Sequence, residues 1–396
     1  MTEIDDAIVK SREWLLAQYD HDERGWAERP GGDVSLLNTA EVIMSLRAAG
    51  VSPREDSIEQ AVECLEGRQE LEGPDAGCWK RDHSPDLIRT SAALRGLIAG
   101  GRPISAASVR GAIDWVLGRG GADGLWGFER GDAPDFMPSC FALFALCDAV
   151  RAGGQDAAPG AAQRLAAFLR VFRRQDGSFG DHELTTAHTV LGALLLHDAR
   201  EAGLLNDRSL EHASLNWLIQ HPEDALRFVE ERVLIGEESY PFAYMTDALL
   251  VRALASSEDP GHRGRLLQDA MLRLNERIRP SGAAYGERAF SWSTAHALTG
   301  FTAAAGRFSQ FPRRAPPRSR RIEPRQVLAL AFIVVAVSAG FVLSLAGAEV
   351  AALLPLFSLA ILSGLLILRF IGESTFAGMV EGATKPGKDS ESSDDG

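Results

Sequence analysis

A Gly–aromatic turn recurs along about the first 300 residues of this chain, and a Ser or Thr opening an apolar helical stretch accompanies it. The turns are Gly25-Trp26, Gly77-Cys78-Trp79, Gly124-Leu125-Trp126-Gly127, Gly177-Ser178-Phe179-Gly180 and Gly282-Ala283-Ala284-Tyr285-Gly286. The Ser/Thr column reads Thr39, Thr90, Ser139, Thr186, Thr246 and Thr294, at a spacing of about 50 residues that stretches once to about 60. A fixed period of that length means one supersecondary unit copied several times.

Each copy carries two stretches with apolar residues at i, i+3 and i+4. The first set covers Asp6–Tyr19, Ser57–Gln69, Ser108–Gly118, Ala161–Arg174, Ser209–Gln220 and Arg265–Ile278. The second covers Ser35–Ala48, Leu87–Ala99, Phe136–Arg151, Leu184–Arg200, Ala243–Ala255 and Trp292–Ala305. Ser84-Pro85-Asp86 marks one helix start, and Gly50, Gly100-Gly101 and Gly153-Gly154 mark stops. Little alternates with period two, so the expectation is all-α: six helical hairpins closed into a barrel, one helix set inside and the other outside. Closure removes the exposed ends that an open solenoid must cap. An inner ring of helices leaves a central cavity.

The net charge is −13, which argues against nucleic acid as a partner, because displacing counterions from phosphate needs basic patches. Ala, Leu, Gly and Arg are abundant, as in a helical bacterial protein from a GC-rich genome. Cys64, Cys78, Cys140 and Cys147 form no CxxC pair and no ligand spacing with histidine, so they read as core residues, and no metal or cofactor is expected. The acidic N-terminus has no apolar signal region.

Val327–Leu345 and Val350–Leu368 are apolar, uncharged and long enough to cross a bilayer. Only Ala346-Gly347-Ala348-Glu349 separates them, so they read as a transmembrane helical hairpin. Arg313, Arg314, Arg318, Arg320, Arg321 and Arg325 precede it and are expected at the membrane surface; Arg369 follows it. The positive-inside rule then places the toroid and both termini in the cytoplasm, at the inner (plasma) membrane. The expected organisation is a toroid over 1–308, a Pro/Arg-rich linker over 309–326, the hairpin over 327–371 and a disordered acidic tail over 372–396.

The run Phe168-Leu169…Arg174-Gln175-Asp176-Gly177-Ser178-Phe179-Gly180 resembles the QW-type motif of the terpene cyclase and protein prenyltransferase repeat. Weaker copies stand at Gln18…Gly25-Trp26 and Gln69…Gly77-Cys78-Trp79. The resemblance implies an (α/α)6 toroid. It does not by itself imply an activity, since one scaffold hosts unrelated chemistries.

Class II cyclases of that family protonate an alkene with an Asp-x-Asp-Asp acid, and no such motif occurs here. The zinc-binding Asp-x-Cys element of the prenyltransferases and the Cys-Gly-Glu-Gln-like run of thioester toroids are also absent. A ring of polar residues near the inner-helix heads remains. Asp33, Glu41, Asp86, Arg89, Asp135, His188, Asp247, Trp292 and His296 are candidates to line the cavity, and Asp181, His182 and Glu183 are candidates for a divergent acid with its support. For Asp86 and Asp135, helix capping competes with a cavity role. His188 and His296 sit in Thr-Ala-His triplets at what reads as one register, with Glu41 and Asp247 in the same column.

Three readings follow. The first is a membrane-anchored toroid that binds a lipid, an isoprenoid or a protein partner rather than cyclising a substrate. The second is a divergent cyclase- or prenyltransferase-like enzyme. The third is a sensor domain coupled to a membrane effector hairpin.

Overall fold

The computed structural model describes residues 3–180, 184–225, 229–235, 238–244, 246–257, 264–284 and 291–305, with backbone alone in 229–235 and 238–244. The candidate acid Asp181-His182-Glu183 and the whole of 306–396, with its arginine run, hairpin and tail, lie outside the described residues. Among the described residues no helix is long and apolar enough to cross a membrane.

Six helices form an inner ring: α2 (Leu36–Ala48), α4 (Leu87–Ala99), α6 (Phe136–Arg151), α8 (Thr185–Glu201), α11 (Thr246–Ser256) and α13 (Ser291–Ala305). Each packs on the next, and α13 packs back on α2, so the ring is closed. Six more sit outside it: α1 (Glu3–Ala17), α3 (Asp56–Gly67), α5 (Ala107–Arg119), α7 (Ala158–Phe172), α9 (Arg208–Gln220) and α12 (Gly264–Glu276). The two sets differ as their sequences require. In α3 the buried residues Ile58, Ala61, Val62 and Leu65 follow a helical period and form a single stripe. In α6 thirteen of sixteen residues are buried, because an inner helix has neighbours on nearly every side.

In the first three repeats one tryptophan ties the outer helix to its inner partner. Trp26 Nε1 donates to the Leu15 carbonyl (2.6 Å), Trp79 Nε1 to Leu65 (2.7 Å) and Trp126 Nε1 to Val116 (2.9 Å), each near an outer-helix C-terminus. The same residues donate their backbone N–H to the inner helix, to Thr39 Oγ1, Thr90 Oγ1 and Ser139 Oγ at 3.0 to 3.1 Å. The indole thus satisfies orphan carbonyls, and the Ser/Thr satisfies a buried amide that has no ladder partner.

The bond identifies the register and corrects the column in the fourth repeat, and the spacing of the cavity-lining residues corrects it in the fifth. In the fourth, Phe179 N donates to Thr189 Oγ1 at 3.0 Å, so Thr189 holds the position, not Thr186. In the fifth, cavity-lining residues space out from Asp247, one residue beyond Thr246. That repeat carries no Gly–aromatic turn. A short helix α10 (Pro222–Ala225) and an antiparallel hairpin, β3 (Val229–Ile235) with β4 (Glu238–Tyr244), stand in the stretch where the period lengthens. This hairpin departs from the all-helical expectation. A smaller pair, β1 (Lys80–Arg81) with β2 (Ser84–Pro85), precedes α4.

Glycine is required where the turn meets the next outer helix. Gly77 has φ +96°, and a Cβ there would lie 2.1 Å from the Gly111 carbonyl oxygen on α5. Gly282, with φ +92°, meets the Lys10 carbonyl of α1 in the same way, and Ser11 Oγ donates to its carbonyl at 3.0 Å. The last turn is therefore locked onto the first helix, which closes the outer ring.

Candidate functional site

With the column set at Thr39, Thr90, Ser139, Thr189, Asp247 and Thr294, the inner helices contribute to a central cavity of about 620 Å³ in three layers. Two positions after the column stand Glu41, Phe141, Leu191, Leu249 and His296. Five positions after it stand Met44, Arg95, Phe144, Leu194, Arg252 and Thr299. Nine positions after it stand Ala48, Ala99, Asp148, Ser256 and Ala303, with Asp198 of α8 at the same register behind the wall. At 1.5 Å per residue the layers span about 10 Å of depth. The lining lies in the middle and C-terminal parts of the inner helices.

The wall is largely apolar, with two polar groups set into it. In the layer nearest the helix heads Glu41 Oε2 lies 3.7 Å from His296 Nε2, across the seam between α2 and α13. Burial pushes the Glu41 carboxyl up to about 7, with Arg95 pulling it the other way. Burial, then the like charges of Arg252 and Arg95, brings His296 down to about 4. Burial thus favours a neutral imidazole beside a carboxyl that holds its proton more tightly than an exposed one.

The second group is an ion network above it. Arg95 Nε donates to Asp148 Oδ2 at 2.6 Å. Arg151 bridges, donating to Asp148 Oδ1 and, at 3.4 Å, to Asp198 Oδ1. Arg252 Nη2 donates to Asp198 Oδ2 at 3.2 Å. Burial works against ionisation of Asp148, but Arg95 and Arg151 outweigh it and hold its pKa below the ordinary value. Three guanidiniums thus face two carboxylates. None of the three arginines, and neither aspartate, was a sequence candidate. The signal was present only once the repeats were aligned on the corrected column, which puts Arg95 and Arg252 at one register.

Of the sequence candidates, Glu41 and His296 line the cavity. His188 does not share their register, because its triplet begins at Thr186 and the column is at Thr189. It stacks on Phe136, ring centroids 4.0 Å apart and planes at 17°, packed beside Gly180. Asp247 replaces the column residue itself and is buried toward the outer ring, where Arg277 Nε lies 2.6 Å from its Oδ2. Trp292 sits edge-on to His296 at 6.3 Å, one turn toward the helix head, and is not part of the cavity wall.

Asp86 and Asp135 cap α4 and α6, accepting from Arg89 N and Met137 N at 2.9 Å each. Arg89 donates to the Lys80 carbonyl at 3.2 Å. Asp86 lines a separate polar pocket of about 310 Å³ at the helix heads, with Arg81, Arg119, Glu129 and Arg130. Asp33 is exposed just ahead of Ser35, the cap of α2. Cys78, Cys140 and Cys147 are buried and their thiol pKa values are raised, chiefly by burial, consistent with a packing role. Among the described residues no three His, Cys, Asp or Glu side chains are grouped to hold a metal ion.

Neither a family model nor a curated protein matches this chain. Among solved structures it is similar to the type II terpene cyclase MstE from Scytonema (TM-score 0.54, 17% identity, 76% of this chain and 99% of that one). It is similar also to a protein from Actinoplanes (0.53, 18%, 76% and 100%) and to a glycoside hydrolase family 76 mannosidase from Bacteroides thetaiotaomicron (0.52, 9%, 77% and 98%). Likeness at such identities speaks for the fold alone, and it agrees with the ring of helices: residues 3–305 are an α/α toroid.

Proposed function

We propose that the toroid is a binding module for a small, largely apolar molecule held in its central cavity, and that the C-terminal hairpin 327–371 anchors it at the cytoplasmic face of the membrane. The observation that supports binding is an open, mostly apolar cavity of about 620 Å³, within the size range of small-molecule sites. A barrel that served only as scaffold would fill that space with side chains. Phe141, Phe144, Leu191, Leu194 and Leu249 offer the apolar wall. The hairpin rests on the two apolar stretches and the flanking arginines.

Cyclisation by alkene protonation fits the cavity poorly. That step needs a strong acid that still carries its proton; of the two carboxyls on the described lining, Glu41 is made weaker by burial, and Asp148 is held toward its ionised form by Arg95 and Arg151. One structural neighbour, the terpene cyclase MstE, was solved with geranylgeranyl dihydroxybenzoate, named as its substrate. An isoprenoid with a polar end is accordingly a first ligand to try. A divergent enzyme is the second reading, favoured by the Glu41–His296 pair as a proton donor and acceptor of moderate strength.

The test is mass spectrometry of small molecules that co-purify with the full chain extracted gently from membranes, followed by incubation with polyprenyl substrates. A stoichiometric lipid or isoprenoid returned unchanged supports binding. A cyclic or otherwise altered product overturns it in favour of the enzyme, and the absence of any bound molecule overturns both.

A further inference from the structure

Three arginines of the cavity wall converge on two carboxylates. Arg95 comes from α4, Arg151 from α6 and Arg252 from α11; the carboxylates among them are Asp148 and Asp198. Among the described lining residues the other titratable groups are Glu41 and His296. Glu41 shares its site with a neutral imidazole and is raised to about 7, so it offsets the surplus only in part at neutral pH.

The helix C-termini explain Arg151, which stands in the last turn of α6, where a cation complements the macrodipole. They do not explain Arg95 and Arg252. Neither α4 nor α11 has a basic residue in its last turn, and both arginines stand earlier in their helices, on the cavity wall. Their carboxylate partners engage one side of each fork: Arg95 through Nε, and Arg252 through Nη2. A guanidinium carries five donors in a planar fork, so Arg95 and Arg252, both on the lining, keep donors beyond those their carboxylates engage. Asp198 holds Arg151 and Arg252 from behind the wall, and Asp148, itself on the lining, holds Arg95 and Arg151, an arrangement that preorganises a site before its ligand arrives.

We propose that the cavity contains an oxyanion subsite formed by Arg95, Arg151 and Arg252, which takes the carboxylate or phosphate head of an amphiphile whose apolar body lies against Phe141, Phe144, Leu191 and Leu249. This rests on the cavity being a binding site, as argued above, and adds the chemical class of the ligand. Planar bidentate donors suit carboxylate and phosphate alike, and a low-polarity wall strengthens charge-assisted bonds.

The experiment is isothermal titration of the full chain, held in an amphipathic polymer, with octanoate, octyl phosphate, octanol and inorganic phosphate. The expected result is that an anionic amphiphile binds at least about tenfold tighter than octanol. That margin, taken as the ratio of the two affinities within one variant, should shrink with added NaCl and be lost in Arg252→Gln. Octyl phosphate above octanoate assigns a phosphate head, the reverse order a carboxylate. Inorganic phosphate binding as tightly as octyl phosphate assigns the subsite to the free ion and overturns the amphiphile.

Octanol binding as well as both anionic forms overturns the subsite while leaving the apolar cavity reading intact. No binding by any octyl compound overturns both. Should Arg252→Gln fail to fold, Arg252→Lys keeps the charge and removes the fork. A margin that survives in the lysine variant and does not respond to NaCl in the native chain counts against the proposal.

Discussion

Glu41 on the first inner helix and His296 on the last face each other at 3.7 Å across the seam that closes the ring. Both are displaced from their ordinary pKa values by the same cause, burial, and in opposite directions, about 7 for the carboxyl and about 4 for the imidazole.

The two have opposing effects on stability. A carboxyl raised from 4.5 toward 7 keeps its proton in the folded chain where the unfolded chain has lost it, so stability falls as pH rises through that window. An imidazole lowered from 6.5 toward 4 is neutral in the folded chain where the unfolded chain is charged, so stability rises with pH through its window. Between about pH 4.5 and 6.5 the two slopes cancel. Urea denaturation at several pH values should therefore show His296→Gln losing on the order of 3 kcal/mol from pH 4.5 to 7 relative to the native chain. Glu41→Gln should gain a similar amount from pH 4 to 6.5. Parallel pH profiles for both variants would show that the pair does not titrate as described.

The corrected column yields a sharper contrast in the fourth repeat. Thr189 accepts the buried Phe179 amide and donates to the Thr185 carbonyl, whereas Thr186, one turn earlier, holds no comparable bond among the described residues. Thr189→Val keeps the shape and orphans that amide, which should cost about 1–3 kcal/mol. Thr186→Val should stay within about 0.5 kcal/mol of the native chain. Equal losses from the two, measured by chemical denaturation, would return the column to Thr186.

That contrast also shows where the sequence stops being legible. The repeat was readable because its parts are local: a glycine for positive φ, an aromatic for the seam and an apolar period of 3.6. Register was not, because Thr185, Thr186 and Thr189 all lie near the head of one helix and only a long-range bond to Phe179 distinguishes them. The mistaken register paired His188 with His296 and placed Asp247 in the cavity, although one stacks on Phe136 and the other faces Arg277. The arginine network was hidden for the same reason. Arg95 and Arg252 stand far apart in the chain and occupy one layer only when the fifth repeat is counted from Asp247. The hairpin at 229–244 also escaped notice, since Val229-Glu230-Glu231-Arg232 does not alternate and Pro241 interrupts the second strand.

Two glycines with similar backbone angles should respond very differently to alanine. Gly73 has φ +80° with nothing near its Cβ position, so Gly73→Ala should cost about 1 kcal/mol from the left-handed conformation alone. Gly77 adds a backbone collision at 2.1 Å with Gly111, which α5 cannot relieve without leaving its seat against α4. Gly77→Ala should cost above about 3 kcal/mol or abolish folding. The comparison is made by thermal and urea unfolding of both variants, and similar midpoints would show that the turn does not press on the outer helix.

Asp198 provides the last test, because it accepts from two arginines on different helices while almost wholly buried. Arg151 of α6 and Arg252 of α11 meet on it, so it couples the two helices on either side of α8. Removing one partner of a buried charge network leaves the others uncompensated, so Asp198→Asn should destabilise by about 3–5 kcal/mol. Asp198→Asn combined with Arg252→Met should recover a measurable part of that loss, since the double change removes a charge of each sign. A double-mutant cycle on unfolding free energy reads the coupling directly. A coupling near zero would mean that Arg252 owes its position to packing alone, and Asp198 would then be holding only Arg151.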